Sequence, residues 1–236
     1  MKTFAKIRFY WGSFAIVAIV SIFMIPLTFF FKKYKGEILH IFNKVNLFLM
    51  GAKVEKDGEM DYDADMYIMN HQGIIDIIGW EALQTRHVSW VAKKELFDAT
   101  WFGNIMKNAD MISLDRGSRS GLLKLLKDIK LSIEEKNRPV AIFPEGTRAD
   151  GQEVLPFKQG TNMIANKLKL KVQPVIITGS KWVLNEHNKT AHSGTVHYKF
   201  LPTIDVTTQQ KDWFDELYKN MQKAIDDELS NSNRCR

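Results

Sequence analysis

The sequence predicts an α/β fold, in which a sheet of about six or more strands is flanked by helices and preceded by an amino-terminal, membrane-associated segment of two helices. Three observations support this prediction. After residue 50, short apolar stretches typical of buried strands alternate with polar loops and helical patterns. Before residue 50, a long uncharged stretch is followed by an amphipathic one. The chain of 236 residues is long enough for one domain plus one additional element.

The positive charge of the chain is concentrated at its amino end. Residues 1–50 contain seven Lys and Arg and one Glu, whereas residues 51–236 contain 26 charged residues of each sign. A nucleic-acid-binding protein needs cations across its folded surface, so this distribution argues against that class. A basic end beside an apolar stretch indicates contact with a membrane instead.

Composition and cysteine content exclude several other classes. With 45% hydrophobic and 25% charged residues, the chain has the composition of a folded protein rather than of a disordered one. The single cysteine, Cys235, is next to last, in a polar stretch from Ser230 to Arg236 for which we expect no ordered structure. A disulfide, a thiolate metal site and a cysteine nucleophile are therefore not expected.

The first element is an uncharged stretch of 23 residues, from Phe9 to Phe31. As a helix it would be about 35 Å long, which is enough to cross the hydrocarbon core of a bilayer. A cleavable signal peptide has a shorter apolar region of roughly 7–15 residues and a site of small residues, so we expect this segment to stay attached. Pro26 lies near its end and should kink the helix or interrupt its hydrogen bonding.

The second element is an amphipathic helix over residues 36–50, typical of a membrane interface. Its apolar side is formed by Ile38, Ile41, Phe42, Val45, Phe48 and Leu49, and its polar side by Glu37, His40, Asn43 and Lys44. Either the first helix spans the bilayer while the second lies on the surface, or the two form a hairpin in one leaflet. The flanking positive charges are balanced and do not distinguish these arrangements. A third alternative is that residues 36–50 pack against the globular body.

Six strands and two clear amphipathic helices are predicted in residues 51–236. The strands are Met66–Met69, Val88–Val91, Met111–Leu114, Val140–Phe143, Val175–Thr178 and Val196–Phe200. The helices are Ser118–Glu135 and Asp212 to about Leu229. The sequence has no internal repeat and no linker long enough to separate a further domain, so residues 51–236 are predicted to form one domain.

The first group of residues that could take part in catalysis follows the strand Met66–Met69. Open α/β sheets bind ligands at the carboxyl ends of their strands, which is where His71 lies. Along one continuous helix, His71 and Asp76 would point about 140° apart, so they can meet only if His71 precedes the helix. Gly73 suits a turn that leaves His71 in the loop and Asp76 in the first helical turn. Asp76 would then accept from one imidazole nitrogen and leave the other as a base for a substrate hydroxyl.

Two further strand ends carry residue types that bind anions. In Phe143–Arg148, a glycine allows close approach of the backbone, and Arg148 offers a fork of donors to a phosphate. Successive amides around Gly146 and Thr147 could form an anion-binding nest. Arg116 follows a third strand end, and this repeated placement predicts a site at one edge of the sheet.

Four sequence blocks, in this order, resemble those of the glycerolipid acyltransferases. They are Asn-His-x4-Asp at residues 70–76, Leu-Asp-Arg at 114–116, Phe-Pro-Glu-Gly-Thr-Arg at 143–148 and Val-Gln-Pro-Val at 172–175. The likeness covers about residues 66–178 and is greatest to the bacterial 1-acyl-sn-glycerol-3-phosphate acyltransferases. The chain departs from many of these relatives in having Gly73 where they carry Ser.

The resemblance implies a reaction and its partners. A fatty acyl chain would pass from acyl-CoA or acyl-carrier protein to the sn-2 hydroxyl of 1-acyl-sn-glycerol 3-phosphate, giving phosphatidic acid. Because no serine or cysteine is placed as a nucleophile, the hydroxyl would attack the thioester directly, without a metal or other cofactor. The implied location is the bacterial inner membrane, with the catalytic domain in the cytoplasm.

The resemblance also implies roles for individual residues. His71 would be the general base and Asp76 its orienting partner. The residues implied in substrate binding are Lys94, Arg116, Glu145, Gly146, Thr147, Arg148, Pro174 and Val175. Among them, the arginines and the lysine would hold the acceptor phosphate, residues 145–147 would shape the acceptor and oxyanion region, and residues 174–175 would line the acyl side.

Three other functions fit parts of the sequence. An acyltransferase for a different lysolipid would use the same residues. A metal-dependent phosphoesterase would use His71, Asp76 and Glu145 as ligands, and a second set of evenly spaced histidines could add to them: His187, His192 and His197. Five-residue spacing places those three on neither one helix face nor one strand face. A catalytically silent scaffold would tolerate loss of the histidine or aspartate, and both are present.

Overall fold

A mixed sheet of eight strands forms the centre of the protein in a computed structural model that describes residues 2–116 and 119–231. The strands of the described residues are β1 (Ala52–Asp57), β2 (Met66–Met69), β3 (Ser89–Lys93), β4 (Ile112–Leu114), β5 (Val140–Ile142), β6 (Lys171–Thr178), β7 (Leu184–Asn185), β8 (Thr190–Ala191), β9 (Gly194–Phe200) and β10 (Ile204–Asp205). The sheet order is β1-β9-β6-β2-β5-β3-β4, with β10 also paired to β6, while β7 and β8 form a separate hairpin. The strands from β6 to β4 run parallel, and β9 is antiparallel to β6.

Helices cover both faces of this sheet. Those of the described residues are α1 (Lys2–Ile19), α2 (Ile25–Phe30), α3 (Lys35–Met50), α4 (Ile74–Leu83), α5 (Lys94–Asp98), α6 (Gly103–Asn108), α7 (Arg119–Glu134), α8 (Gln159–Leu168), α9 (Ser180–Val183) and α10 (Trp213–Asn231). The predicted helices at 118–135 and 212–229 correspond to α7 and α10. Ser118 and residues 232–236 of the predicted tail lie outside the described residues. The prediction of no ordered structure is wrong for Ser230 and Asn231, which form the end of α10.

The central strands are apolar throughout because both of their faces are buried. In β2, Met66 and Ile68 pack into a cluster with side chains of α7, α8 and α10. Tyr67 and Met69 point to the other face and pack with side chains of α3 and α4. A strand covered on both sides shows no alternation of polar and apolar residues, which is the pattern that identified β2 in the sequence.

The predicted fold class is confirmed, and all six predicted strands are present. The structure adds four strands that the sequence pattern did not indicate: β1, β7, β8 and β10. β1 lies at the edge of the sheet, paired only along β9 in the described chain, and most of its side chains are exposed. Edge strands of this kind lack an apolar run, so hydrophobic pattern alone does not identify them.

The predicted uncharged helix is present as one helical segment of 29 residues, Lys2–Phe30, which is long and apolar enough to cross a membrane. A π-helical turn at Val20–Met24 separates α1 from α2, and the Ile25 N–H bonds to the carbonyl of Val20. Pro26 lacks an N–H and crowds the preceding turn, which accounts for the interruption at this point. The prediction that Pro26 breaks the regular hydrogen bonding is therefore confirmed.

The second predicted helix, α3, packs on the globular body and also exposes apolar side chains. The residues that it buries are Gly36, Leu39, Asn43, Asn46, Leu47 and Met50. His40 Nδ1 lies 2.8 Å from the Glu81 carbonyl oxygen and Asn43 is buried, so these two residues of the predicted polar side face the protein. Their side chains find partners within the protein, as Asn43 does by donating to the Leu39 carbonyl. Phe48 on the opposite side is 81% exposed.

Candidate active site

Parallel pairing brings the carboxyl ends of four neighbouring strands to one edge of the sheet. β2 pairs in parallel with β5, β5 with β3, and β3 with β4. His71 follows β2, Phe143–Arg148 follows β5, Lys94 follows β3 and Arg116 follows β4. The residues predicted at successive strand ends therefore share one edge of the sheet, as expected for open parallel sheets. We call this edge the site edge.

His71 and Asp76 form a hydrogen-bonded pair at this edge. The distance from His71 Nδ1 to Asp76 Oδ2 is 2.8 Å, and the Asp76 side chain is fully buried. Because α4 begins at Ile74, His71 precedes the helix and Asp76 lies in its first turn, which confirms the predicted geometry. With a carboxylate acceptor at Nδ1, we assign the imidazole proton to that atom, which leaves Nε2 as the basic nitrogen.

Backbone donors and an aromatic ring hold this pair in place. Asp76 Oδ2 also accepts the N–H groups of Gln72 at 2.6 Å and Gly73 at 2.8 Å. The His71 ring stacks on Phe143, with ring centroids 3.8 Å apart and planes 12° from parallel. The orientation of the imidazole is thus determined by contacts on its Nδ1 edge and on one face.

Glu145 joins the loop after β5 to the loop after β2. Its Oε1 accepts the His71 N–H at 2.6 Å, and its Oε2 accepts the Leu155 N–H at 2.8 Å. Burial raises the pKa of Glu145 to about 7, against the two amides, which lower it. The side chain is 1% exposed, so Glu145 shapes the site by holding the His71 backbone rather than by offering a free carboxylate to a substrate.

Gly146 lies next to the guanidinium of Arg116 although their sequence blocks are far apart. Gly146 has φ of +69°, and a Cβ placed on it would lie 3.0 to 3.3 Å from the guanidinium of Arg116. A side chain at this position would therefore be strained and would displace the arginine. Thr147, the next residue, is exposed. Lys94, which follows β3 at the same edge, has its Nζ 3.7 Å from Asp115 Oδ2.

Arg148 forms an ion pair with Glu186, a residue of the turn between β7 and β8. The arginine side chain is 40% exposed and the glutamate 27% exposed. Arg148 therefore has a carboxylate partner within the described part of the chain, and its side chain is still partly open to solvent.

Pro174 and Val175 lie within β6, before its carboxyl end at Thr178. They pair with Ile68 and Met69 of β2, and both side chains are buried. The structure places them in the buried part of the sheet, beneath the edge that carries His71. Their role in lining an acyl site stays a prediction.

Comparison with known proteins identifies the family. A sequence model of the Acyltransferase family matches residues 61–178. A Helicobacter pylori (strain J99) protein named 1-acyl-sn-glycerol-3-phosphate acyltransferase is 38% identical over 176 residues, covering 74% of each chain. The chain belongs to the acyltransferase family. The family resemblance predicted from its four motifs is thereby confirmed, and the protein is an O-acyltransferase.

One further relative and one solved structure are also similar to this acyltransferase. The Escherichia coli K12 protein of the same name is 26% identical over 201 residues, covering 84% of this chain and 81% of that one. A crystal structure titled as the 1-acyl-sn-glycerophosphate (LPA) acyltransferase PlsC from Thermotoga maritima aligns with a TM-score of 0.80. It covers 98% of this chain and 99% of that chain at 20% identity, so it shows that the fold is shared.

The three histidines of the phosphoesterase alternative are dispersed in this acyltransferase. His187 pairs with Asp150, His197 pairs with Glu55, and His192 stacks on a tryptophan ring. Among residues 2–116 and 119–231, no three His, Cys, Asp or Glu side chains are grouped so that they could hold a metal ion. The arrangement of these side chains does not favour the phosphoesterase.

Several residues that support the acyltransferase site were not predicted. Asn70 uses its side-chain amide to bond both the carbonyl and the N–H of Ile177, which joins the end of β2 to β6. The Tyr198 hydroxyl donates to the main-chain carbonyl of Asp76 at 2.6 Å. Asn70 stands beside the histidine motif and could have been suspected from that position. Tyr198 and Glu186 have no local sequence signal, because only tertiary packing brings them to the site.

Proposed function

We propose that this acyltransferase moves a fatty acyl chain from acyl-CoA or acyl-carrier protein to the sn-2 hydroxyl of 1-acyl-sn-glycerol 3-phosphate, giving phosphatidic acid. The observation that carries the proposal is the His71–Asp76 pair on the same sheet edge as Arg116 and Arg148. A base next to guanidinium groups suits an acceptor that carries both a hydroxyl and a phosphate. The names of the Helicobacter and Escherichia relatives support this choice of acceptor.

In the proposed reaction, His71 acts as the general base through Nε2. It takes the proton of the acceptor hydroxyl as the oxygen bonds to the thioester carbonyl carbon. The carbon–sulfur bond then breaks, and the leaving thiolate takes the proton back from the imidazolium to become a thiol. Asp76 stabilises the transient imidazolium through its hydrogen bond to Nδ1. The acyl group passes directly between substrates, so the enzyme needs no nucleophile of its own and no metal or redox cofactor.

The neighbouring loops supply the proposed substrate contacts. Arg116 and Arg148 would bind the acceptor phosphate through charge-assisted hydrogen bonds, and Lys94 would add positive charge. Backbone amides around Gly146 and Thr147 would stabilise the negative charge that develops on the thioester oxygen. Holding the phosphate and the hydroxyl at a set separation places the reacting oxygen next to the base.

We also propose that residues 2–50 anchor the domain formed by residues 51–236 in one leaflet of the bacterial inner membrane, with the catalytic domain in the cytoplasm. Contacts near both ends of the Lys2–Phe30 helix support this arrangement. Arg8 donates to the Met50 carbonyl at 2.6 Å, and Asn108 donates to the Ile25 carbonyl at 3.1 Å. A helix that lies along the protein in this way would have to leave these contacts before it could cross a bilayer.

The exposed side of the two helices has the composition of a membrane-binding surface. Its large apolar side chains, each at least half exposed, are Phe4, Ile7, Tyr10, Trp11, Phe14, Ile22, Phe29, Phe30, Phe31, Tyr34, Ile41 and Phe48. So many exposed large apolar side chains on neighbouring helices are unusual for a protein surrounded only by water. Burial of these side chains among lipid chains accounts for their position.

The decisive experiment offers the enzyme a mixture of lysophospholipids with different headgroups and both thioester donors. Products are identified by mass spectrometry, including the position of the new ester. We expect phosphatidic acid acylated at sn-2, formed by the wild type and not by His71→Ala. Preferred acylation of another lysophospholipid would contradict the acceptor assignment. Release of inorganic phosphate without acyl transfer would contradict the whole proposal.

A further inference from the structure

The turn between β7 and β8 places Glu186 between two parts of the active site. Its Oε2 pairs with Nη1 of Arg148. Its Oε1 accepts the N–H of Ile74 at 3.3 Å, and Ile74 is the first residue of α4. One carboxylate therefore links the arginine to the helix whose first turn carries Asp76.

The contact with α4 gives an acceptor to one N–H at the start of this helix, next to the Gly73 N–H that Asp76 accepts from within the first turn. The N-terminal N–H groups of a helix have no partner within the helix and favour a negatively charged acceptor. The residue at the cap position is Gly73, which has no side chain to serve as that acceptor. Glu186 supplies the acceptor from a distant part of the chain.

The turn that carries Glu186 is itself held on two sides. β7 and β8 pair with Leu184 opposite Ala191, and both side chains are buried in the core cluster beneath α4. Leu184 also lies close to α1, with its Cδ1 3.7 Å from the position that a Cβ on Gly12 would occupy. The Asn185 side chain also accepts the Asn188 N–H at 2.9 Å within the turn. Glu186 is thus presented from a supported hairpin.

The ion pair leaves donors of Arg148 available to a substrate. A guanidinium has five N–H donors in a planar fork, and the pair with Glu186 is made through Nη1. A carboxylate that is held by a helix amide can orient this fork without occupying all of it. The Arg148 side chain is 40% exposed, so it can be reached by a ligand from solvent.

We infer that Glu186 is a positioning residue, which fixes the Arg148 guanidinium relative to the His71–Asp76 pair. The acceptor phosphate and hydroxyl are then held at the separation that the reaction requires. This inference rests on the proposed function, in which Arg148 binds the acceptor phosphate. The opposite possibility is that Glu186 acts as a competing anion, in which case its removal would strengthen acceptor binding.

The expected kinetic effect falls on the acceptor. Glu186→Ala should raise the acceptor KM by about 10-fold, since an unrestrained arginine binds the phosphate less well. It should also lower kcat several-fold through a misplaced hydroxyl, and it should leave the donor KM nearly unchanged. Glu186→Gln keeps an oxygen for the Ile74 N–H and should restore the acceptor KM in part. Glu135→Ala, an exposed glutamate just after α7, is the matched control and should match the wild type.

A double-mutant cycle with Arg148→Ala tests the inference. The full-length enzyme is assayed in detergent with both substrates varied, and melting temperatures verify that each variant is folded. We expect the double variant to have the acceptor KM of Arg148→Ala alone, because Glu186 acts through that arginine. Independent, multiplying effects, or a lower acceptor KM in Glu186→Ala, would overturn the inference.

The same measurements separate this inference from the proposed function. An unchanged acceptor KM in Arg148→Ala would remove the phosphate-binding role of Arg148 and with it the basis of the proposal. A raised acceptor KM in Arg148→Ala with no change in either Glu186 variant would leave the function intact and overturn only the role of Glu186. If Glu186→Ala does not fold, Glu186→Gln replaces it in the cycle, with a smaller expected rise in acceptor KM.

Discussion

The site edge and the amino-terminal helices differ in which side chains they bury. The site edge buries charged side chains, whereas the helices expose apolar ones. At the site edge, the Asp76 and Glu145 carboxylates are almost completely buried, and both accept backbone N–H groups. In the helices, Phe30 and Phe48 are 74% and 81% exposed. Buried carboxylates and exposed aromatic rings both depart from the usual distribution of residues in water-soluble proteins. The first departure is explained by the chemistry of the site and the second by the proposed lipid surroundings.

The comparison also indicates how each region should respond to substitution. Polar groups at the site edge act as a connected set, so the loss of one leaves others unpaired or misplaced. Apolar side chains on the helices act through the area they bury in lipid, and this area is the sum of many similar contributions. Single changes should therefore have large effects at the site and moderate ones on the helices.

The largest effect is expected for the proposed base. His71→Ala should lower turnover by at least about 10²-fold, because a positioned base contributes that much or more. Asp76→Asn should also lower turnover, since an amide stabilises the imidazolium less well. Turnover is measured from product formation, and melting temperature reports folding. Glu135→Ala changes an exposed residue outside the site and should leave turnover unchanged. Near-normal turnover of a folded His71→Ala enzyme would show that the base assignment is wrong.

A second test at the site edge concerns its two arginines. Arg116→Ala or Arg148→Ala should raise the acceptor KM by roughly 10- to 150-fold, the range expected for one charge-assisted contact. The donor KM should change much less. Lysine should restore the acceptor KM only in part, because it supplies charge without the planar fork. Steady-state kinetics with each substrate varied in turn provide the measurement. Equal weakening of donor and acceptor would assign the arginines to structure or to the phosphates of the donor.

For the helices, a charge on the exposed apolar side should weaken membrane binding. Phe48→Asp should lower partitioning into vesicles by about 10-fold, since the buried area of one phenylalanine is lost. Tyr62→Asp is the matched control, because Tyr62 is 68% exposed near the amino ends of the strands. Binding is measured by sedimentation with vesicles at high salt, and equal losses in the two variants would contradict the proposed surface. Deletion of residues 1–50 is a poorer test, since Leu47 and Met50 belong to the core.

The smallest effect on activity is expected at the junction of the two regions, where α3 contacts α4 at Glu81. Burial raises the pKa of the Glu81 carboxyl from 4.5 to about 7, partly offset by the Trp90 hydrogen bond. Because the folded protein holds this proton more tightly than the unfolded chain, protonated Glu81 contributes fully to the free energy of unfolding below about pH 4.5. This contribution is lost as the pH rises through about 7.

Glu81→Gln removes this titration and should make stability less dependent on pH. Between pH 5 and pH 8, the melting temperature of the variant should fall by about 5–10 °C less than that of the wild type. Calorimetry in detergent at the two pH values measures the difference. Glu135→Gln at an exposed position serves as the control and should behave as the wild type. Parallel behaviour of Glu81→Gln and the wild type would mean that other groups control the pH dependence.

Much of the fold and part of the site could be predicted from local patterns. Apolar runs identified the strands from β2 to β6 and β9, because buried strands lack polar residues regardless of their partners. Parallel connections then required the carboxyl ends of β2, β3, β4 and β5 to meet. Helical geometry alone showed that His71 must precede the helix that carries Asp76, and their 2.8 Å contact agrees.

Tertiary structure decided which way the remaining side chains point and what they touch. The polar side of α3 turns toward the protein because α4 offers it a carbonyl acceptor, which no periodicity in residues 36–50 reveals. Glu145 points inward and accepts the His71 N–H. Glu186 pairs with Arg148 although the two residues are 38 positions apart in the sequence. A pattern of residue types reports the period of an element and which of its faces is apolar. Contacts between distant segments depend on how whole elements pack, and this information is distributed over the entire sequence.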